Sequence, residues 1–327
     1  MLKSKRWFLL MVVGFLLAFF SWNYFRQQRS GQVVTGIAQN PSSVLRSTSD
    51  RTNVAFFGIG GDGHVGGDLT DSIILFSYHH STHALTLVPL PRDIWVPSLA
   101  AKINTAYHYG NEQRNGGGID LAKSAVAEVT GLPVHYATIL DFRGFEQMID
   151  AVGGIDLTIP RTFDDYKYPI PGQENAEPEA SRYEHLHFEA GPTHLDGATA
   201  LKFARSRHSE GEEGTDFARS SRQEQVILAF KQKLLSSQTV FSSNKIQNLL
   251  DSLDNSLNSD ANNTESGAFI RLFLDYTRSD STSNSLDLSG LFYTPINKSP
   301  YQGQWVLIPK TSIEDIHAYV ELSLSRQ

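Results

Sequence analysis

Apolar residues set the first landmark of this chain: nineteen in a row, at 7–25, carry no charge (WFLLMVVGFLLAFFSWNYF). As a helix they would rise roughly 28 Å, close to the thickness of a bilayer's hydrocarbon core. Beyond them the pattern falls into two periods. Short apolar runs at 54–59, 72–77, 84–88, 134–140 and 155–159 predict strands. The first, VAFFGI, is continuous enough for burial on both faces. Helical spacing predicts helices over 119–130, 142–152, 195–204 and 217–235, with Gly131 and Gly153-Gly154 as stop signals. Weaker helical patterns lie at 245–257 and 267–276. The C-terminal region reads as a strand, GQWVLIPK, then a helix capped by Thr311 or Ser312 with Glu314 in support. Residues 161–190, rich in Pro, Glu and Tyr, show no period and read as a long excursion. Alternating strands and helices imply an α/β fold, a sheet flanked by helices, preceded by one N-terminal transmembrane helix.

Charge orients that picture. Lys3, Lys5 and Arg6 precede the apolar run, which places residues 1–6 in the cytoplasm by the positive-inside rule; Arg26 and Arg29 reduce the asymmetry. Residues 7–25 then form the anchor, 26–52 a polar extracytoplasmic linker, and 53–327 the folded domain. A cleaved signal peptide is the rival reading, but Gly36-x-Ala38 comes too late after the run for a usual cleavage site. The 327 residues include no cysteine, which excludes disulfides and zinc–thiolate sites. A formal net charge of −7 argues against nucleic-acid binding.

Against this acidic background, ALKFARSRHSEGEEGTDFARSSRQEQ at 200–225 gathers Arg205, Arg207, Arg219 and Arg222 around a Gly/Glu-rich loop. Guanidinium groups stay ionised and grip phosphate oxygens through paired N–H donors. The plainer alternative is a set of solvated helix faces with Arg–Glu pairs. Upstream, GGDGHVGGDLTD holds five glycines between Gly60 and Gly67, together with Asp62, Asp68 and Asp71. Backbone without Cβ atoms can approach an anion, and loop carboxylates suit Mg²⁺, although a plain turn with solvated acids has the same composition. PLPRDIWVP places Arg92 and Asp93 at a strand's C-terminal end, where ligands gather in open α/β sheets. KINTAYHYG then presents Lys102, Asn104 and Tyr107. His79, His80 and His83 sit in a predicted strand turn with no carboxylate or thiol at ligand spacing, and His185 and His187 read as surface residues.

Together these motifs resemble the LytR–CpsA–Psr family of cell-envelope proteins. The resemblance rests on the Gly-rich loop ending LTDSIIL, on PLPRDIWV, KINTAYHYG and DAVGGIDLTIP, and on LDGATALKFARSRH…TDFARSSRQEQ, in family order over about 53–230. It implies an α/β/α sandwich with a central mixed sheet flanked by helices, outside the membrane. It also implies a phosphotransferase that moves a glycopolymer from a polyprenyl-diphosphate carrier onto peptidoglycan, with Mg²⁺ or Mn²⁺. By position, Asp71 looks like the family's metal-binding carboxylate, with Asp62 as a second candidate ligand. Arg92, Arg205, Arg207 and Arg219 look like the arginines that grip the pyrophosphate. Gln223 and Lys102 look like supporting contacts, and Asp93 either orients Arg92 or is structural. The chain departs from the pattern where many members have an Asp after the first strand and an Arg two positions before the metal Asp; here stand Gly60 and Leu69.

Attack on a diphosphate builds negative charge on its oxygens, so catalysis is mostly positioning and charge stabilisation. Arginines and a divalent ion supply both; Asp71 or a nearby loop carboxylate is a candidate proton acceptor. The carrier's tail needs an apolar groove. Phe142, Phe145 and Phe203 are candidate lining residues, with ordinary core packing as the alternative. A polyprenyl-diphosphate pyrophosphatase and a non-catalytic binder or regulator of envelope assembly are the competing functions.

Overall fold

The structure is a computed structural model that describes residues 30–62, 64, 66–173, 175–209, 211–214, 216–234, 236, 257–278 and 283–326. Helices α1 (Ser30–Ala38) and α2 (Pro41–Val44) come first, within the stretch expected to be a linker. Val33 and Leu45 are buried, so this segment is packed onto the domain. An antiparallel meander follows: β1 (Arg51–Ile59), β2 (Thr70–His79) and β3 (Leu85–Leu90). The ribbon of β4 (Trp95–Val96) and β5 (Ala101–Lys102) leads into α3 (Ala106–Gln113) and α4 (Gly117–Thr130). Strand β6 (Tyr136–Asp141) returns parallel to β1 and passes directly into α5 (Phe142–Ala151). Next come β7 (Ile155–Ile159), β8 (Phe163–Pro169), β9 (Tyr183–Phe188), β10 (Gly191–Leu195), α6 (Gly197–Arg205) and α7 (Asp216–Leu234). The chain closes with β11 (Leu257–Ser259), α8 (Asn263–Arg278), β12 (Ser283–Ser285), β13 (Phe292–Tyr293), β14 (Ile308–Pro309) and α9 (Ile313–Ser325).

The central six-stranded sheet has the order β11-β6-β1-β2-β3-β12 and is mixed: β1 runs parallel to β6 and β3 to β12, while the other neighbours are antiparallel. Side chains alternate across a strand, and here both faces are covered. Ala55, Phe57, Ile73, Leu75, Val88 and Leu90 pack with α4 and α9. On the other face Val54, Phe76, Tyr78 and Leu85 pack under α8, while Leu140 joins the core of α5, α6 and α7. The architecture is therefore an α/β fold with helices on both sides of a mixed sheet.

Four local expectations change. The run at 155–159 is a strand, but it pairs with β10 outside the central sheet. The aperiodic excursion is a β8–β9 hairpin whose Phe163, Tyr168, Leu186 and Phe188 enter a core. In the tail, only Ile308 and Pro309 form a strand. The last helix is capped by Ser312 with Asp315, not Glu314: each side chain bonds the other's backbone N–H, at 3.2 and 3.3 Å. The apolar run at 7–25 and most of the weak helix at 245–257 lie outside the described residues. Among the described residues no helix is long and apolar enough to cross a membrane.

Candidate active site

One end of the central sheet collects the chemistry. The parallel pair β1 and β6 finishes there with Ile59 opposite Asp141. The antiparallel β2 begins there, with Thr70 opposite Ile59, and β3 ends there at Leu90. Chain direction alone thus brings the Gly-rich loop, Asp71, Arg92 and Asp141 to one edge.

The Arg92 guanidinium bonds the Asp71 carboxylate, and both side chains are more than two-fifths exposed. Arg92 Nε lies 3.7 Å from Asp93, which also takes a 2.7 Å bond from Lys102 Nζ. Burial alone would weaken the Arg92 charge, but Asp71 and Asp93 raise its pKa above the ordinary arginine value, so it remains a cation. Lys102 is thereby partnered by Asp93 rather than presented alone, and Asp93 stands between two cations. Asp71–Arg92–Asp93–Lys102 is a continuous charge chain.

A mainly apolar cavity of about 260 Å³ opens on the other face of the same sheet end. Gly58, Ser72, Ile74, Phe142, Phe145 and Met148 help to line it, and its polar members include Asp141, Arg205 and Gln223. Phe142 and Phe145 therefore do line a groove, whereas Phe203 is fully buried in the core of α5, α6 and α7. Arg205 lies over the Phe142 ring at 4.2 Å and donates to the Tyr168 hydroxyl at 3.1 Å. Both contacts hold the charged head at the cavity without neutralising it. Gln223 Nε2 reaches the carbonyl of Ala204, the residue before Arg205, at 3.5 Å. Ser72 borders the cavity and Asp71 precedes it on β2, so only the thickness of one strand separates the charge chain from the cavity.

The remaining arginines divide by role. Arg207 is exposed, and its backbone N–H donates to the buried Asp165 carboxylate at 3.0 Å. Arg219 lies on α7, and its side chain is outside the described residues. Arg222 is 2% exposed and donates to Ser206 O at 2.7 Å and to Glu213 Oε2 at 2.9 Å, so it is a structural tie across the turn between α6 and α7. Proximity in sequence had grouped it with the others.

Asp165 is the residue that sequence reasoning missed. It receives Ser206 Oγ at 2.7 Å and the N–H groups of Arg207 and His208 at 3.0 and 3.1 Å. Burial would raise its pKa, but these bonds and the Lys167 N–H hold it below the ordinary carboxylate value. It pins the turn that carries Arg205 and Arg207. Its only signal in sequence was an acidic pair inside an apparently irregular stretch. Tyr168 and Asp141 were missed too. Asp141 caps α5 through Gly144 N at 2.7 Å while lining the cavity.

For a divalent cation, Asp71 is the candidate donor at this edge. No three His, Asp or Glu side chains converge into a metal cage among the described residues. Asp62 is exposed on the loop and has no described bond to Asp71; Asp68 is bonded to His108 at 2.6 Å. A Cβ at Gly60 would stand 3.1 Å from the His64 Cβ, so a carboxylate there would displace His64. One exposed carboxylate fits Mg²⁺ or Mn²⁺ carried largely by phosphate oxygens and water, the usual mode for such ions. His79, His80 and His83 contact Asp50, Thr52 and Tyr78 respectively, and His185 and His187 share Asp164 on the hairpin surface.

The LytR_cpsA_psr family profile matches residues 21–316. The chain belongs to this family. It is 30% identical over 200 residues to the Bacillus cereus polyisoprenyl-teichoic acid–peptidoglycan teichoic acid transferase TagU, covering 60% of this chain and 57% of that protein. With TagV of Bacillus subtilis, described by the same activity, it shares 26% over 234 residues, covering 70% of this chain and 54% of that protein. The chain thus spans somewhat more than half the length of these curated relatives. Among solved structures, B. subtilis TagV superposes with a TM-score of 0.51 at 22% identity, covering 85% of this chain and 99% of that one. A structure of TagT bound to LI-WTA gives a TM-score of 0.53 at 20% identity, covering 86% and 94%. At such identities the structural likeness shows a shared fold. The family's order of motifs is the order that brings Asp71, Arg92 and Arg205 to one end of the sheet.

Proposed function

We propose that this family member is a membrane-anchored phosphotransferase. It moves a glycopolymer from a polyprenyl-diphosphate carrier to peptidoglycan, with residues 7–25 as the single anchor and the domain outside the membrane. The observation that carries this reading is the apolar cavity with Arg205 at its polar end, one strand from the Asp71–Arg92 pair. Few ligands need an apolar cavity with a fixed cation at its lining and further arginines close by; a lipid diphosphate does. The curated relatives, named as polyisoprenyl-teichoic acid–peptidoglycan teichoic acid transferases, support the same reading.

The lipid tail occupies the cavity, and Arg205 and Gln223 meet the phosphate nearer the lipid. Arg92, held by Asp71 and Asp93, meets the phosphate that bears the glycopolymer; Arg207 and Arg219 add to the field. An acceptor hydroxyl oxygen forms a bond to that phosphorus. The bridging P–O bond breaks, its electron pair leaves with polyprenyl phosphate, and the hydroxyl proton passes to a carboxylate at the sheet edge, Asp71 being the candidate. The product is a phosphodiester between glycopolymer and peptidoglycan. A divalent ion, when bound at Asp71, supplies Lewis-acid charge to the diphosphate oxygens.

The test uses the full chain in lipid nanodiscs with a polyprenyl-diphosphate glycan, Mg²⁺ and peptidoglycan strands. Release of polyprenyl phosphate together with a mass gain on the strands, lost in Arg92→Ala and Asp71→Ala, is the expected outcome. Release without mass gain would make the protein a pyrophosphatase. Donor binding without release would make it a binder.

A further inference from the structure

The Arg92 end of the sheet carries a surface that the preceding reading does not use. Beyond β3 the chain runs Pro91-Arg92-Asp93-Ile94-Trp95, and a C-terminal segment lies beside it. Ile94 and Leu307 form a parallel bridge. Leu307 N donates to Asp93 O and Trp95 N to Leu307 O, both at 2.9 Å. Trp305 stands two residues before Leu307, as Arg92 stands two residues before Ile94. Val306 is fully buried, which anchors the segment, while Trp305 is 48% exposed. The Trp95 ring meets the Tyr301 ring edge-on at 5.2 Å, and Gln302 Nε2 bonds Ala100 O at 3.2 Å. Trp305 thus stands beside Arg92 in register, with the Trp95–Tyr301 pair further along the same two segments, an aromatic ledge next to the charge chain. Apolar groups left in water mark a binding surface where they gather, as these do along two neighbouring segments.

We propose that this ledge is the acceptor subsite, where pyranose rings of the acceptor glycan stack on Trp305 and its aromatic neighbours. The inference rests on the phosphotransferase reading and adds the direction of attack. The cavity is bordered by Gly58, Ser72 and Ile74, on one face of the sheet. Ile73, Leu90, Ile94 and Val96 belong to the core on the opposite face. Attacking and leaving oxygens lie roughly in line in phosphoryl transfer. If polyprenyl phosphate leaves toward the cavity, the nucleophile arrives from the other face, which is the face of the ledge. A pyranose ring offers C–H groups on its flat side and hydroxyls on its rim. Aromatic faces match the first, and the Gln304 amide, whose Nε2 reaches Gln302 Oε1 at 3.5 Å, offers its oxygen to the second. A lipid surface is the competing partner for exposed aromatics, and the test separates the two.

The full chain in nanodiscs is assayed at saturating polyprenyl-diphosphate glycan while uncross-linked peptidoglycan strands are varied. Trp305→Ala is expected to raise the acceptor KM about tenfold or more, and to leave the donor KM and acceptor-independent release of polyprenyl phosphate near the unsubstituted values. Trp305→Phe should recover most of the loss. An unchanged acceptor KM in Trp305→Ala overturns the proposal. A second measurement does not depend on how the alanine variant folds. Chitotetraose should change the Trp305 fluorescence, taken as the difference between the unsubstituted chain and Trp305→Phe; no change counts against the ledge. Quenching of that signal by brominated lipids would assign the ledge to the membrane and overturn the glycan reading. Absence of any transfer by the unsubstituted chain would instead refute the phosphotransferase reading, and chitotetraose binding would still decide whether the ledge takes glycan.

Discussion

Arg205 and Arg222 show how one residue type divides between chemistry and architecture. Arg205 rests on Phe142 and on the Tyr168 hydroxyl, neutral partners that orient it. Arg205→Ala is expected to lower kcat by about 10²-fold or more, in line with removal of a fixed donor to a developing anion, with little change in melting temperature. Tyr168→Phe should cost about tenfold, because it loosens the guanidinium without removing it; the kcat and KM split of both variants checks this. Arg222 is buried against Glu213 and Ser206 O. Arg222→Ala removes one partner of a buried pair and should destabilise the fold by about 3–5 kcal/mol, read by denaturant unfolding. Sequence could mark all of these arginines as unusual for an acidic chain. It could not say which would be buried, because that depends on Glu213 and Ser206 folding back over α7.

At the level of elements, the site depends on how closely α6 approaches α5. A Cβ at Gly197 would lie 2.2 Å from the Glu146 carbonyl oxygen. Gly197→Ala therefore forces the helices apart, costing about 1–3 kcal/mol and displacing Arg205 at the far end of α6. Thermal unfolding together with activity would show both losses. The capping box of α9 is a purely structural counterpart. Ser312→Ala should cost about 1 kcal/mol and leave activity intact, since α9 packs on the face away from the cavity. The period of the apolar residues located α5, α6 and α7 in sequence. The hairpin β8–β9 escaped it because its inward residues, Phe163, Tyr168, Leu186 and Phe188, are separated by Pro-rich turns and irregular pairing.

For the whole molecule, part of the acid response is set away from the site. His135 accepts from Asn53 N at 2.9 Å through Nδ1, and Thr48 Oγ1 lies 3.0 Å from its Nε2, next to β1. Burial, with Arg46, Lys123 and His80 nearby, pushes its pKa down to about 4. The unfolded chain binds this proton near pH 6.5, so between those values it holds more protons than the folded chain. Stability is therefore full above about pH 6.5 and falls as the pH drops toward 4. His135→Gln should flatten that part of the melting-temperature profile. The proposed direction of transfer belongs to the same scale, because the cavity and the core that seats Ile94 beneath the ledge lie on opposite faces of one sheet.

Taken by itself, the sequence determined the elements and the chemistry on offer. The α/β alternation, an uncharged run of membrane-spanning length, and the motifs holding Asp71, Arg92, Arg205 and Gln223 could all be read from periods and residue types, which are local properties of a chain. Tertiary structure decided the partners. It placed β7 outside the central sheet, buried Phe203 while leaving Phe142 and Phe145 at the cavity, gave Lys102 to Asp93, and made Asp165 the pin beneath the Arg205–Arg207 turn. A hydrophobic period records that a position is buried but not against what. A hydrogen bond or ion pair depends on groups that meet only after distant segments, such as 165 and 207, have been brought together.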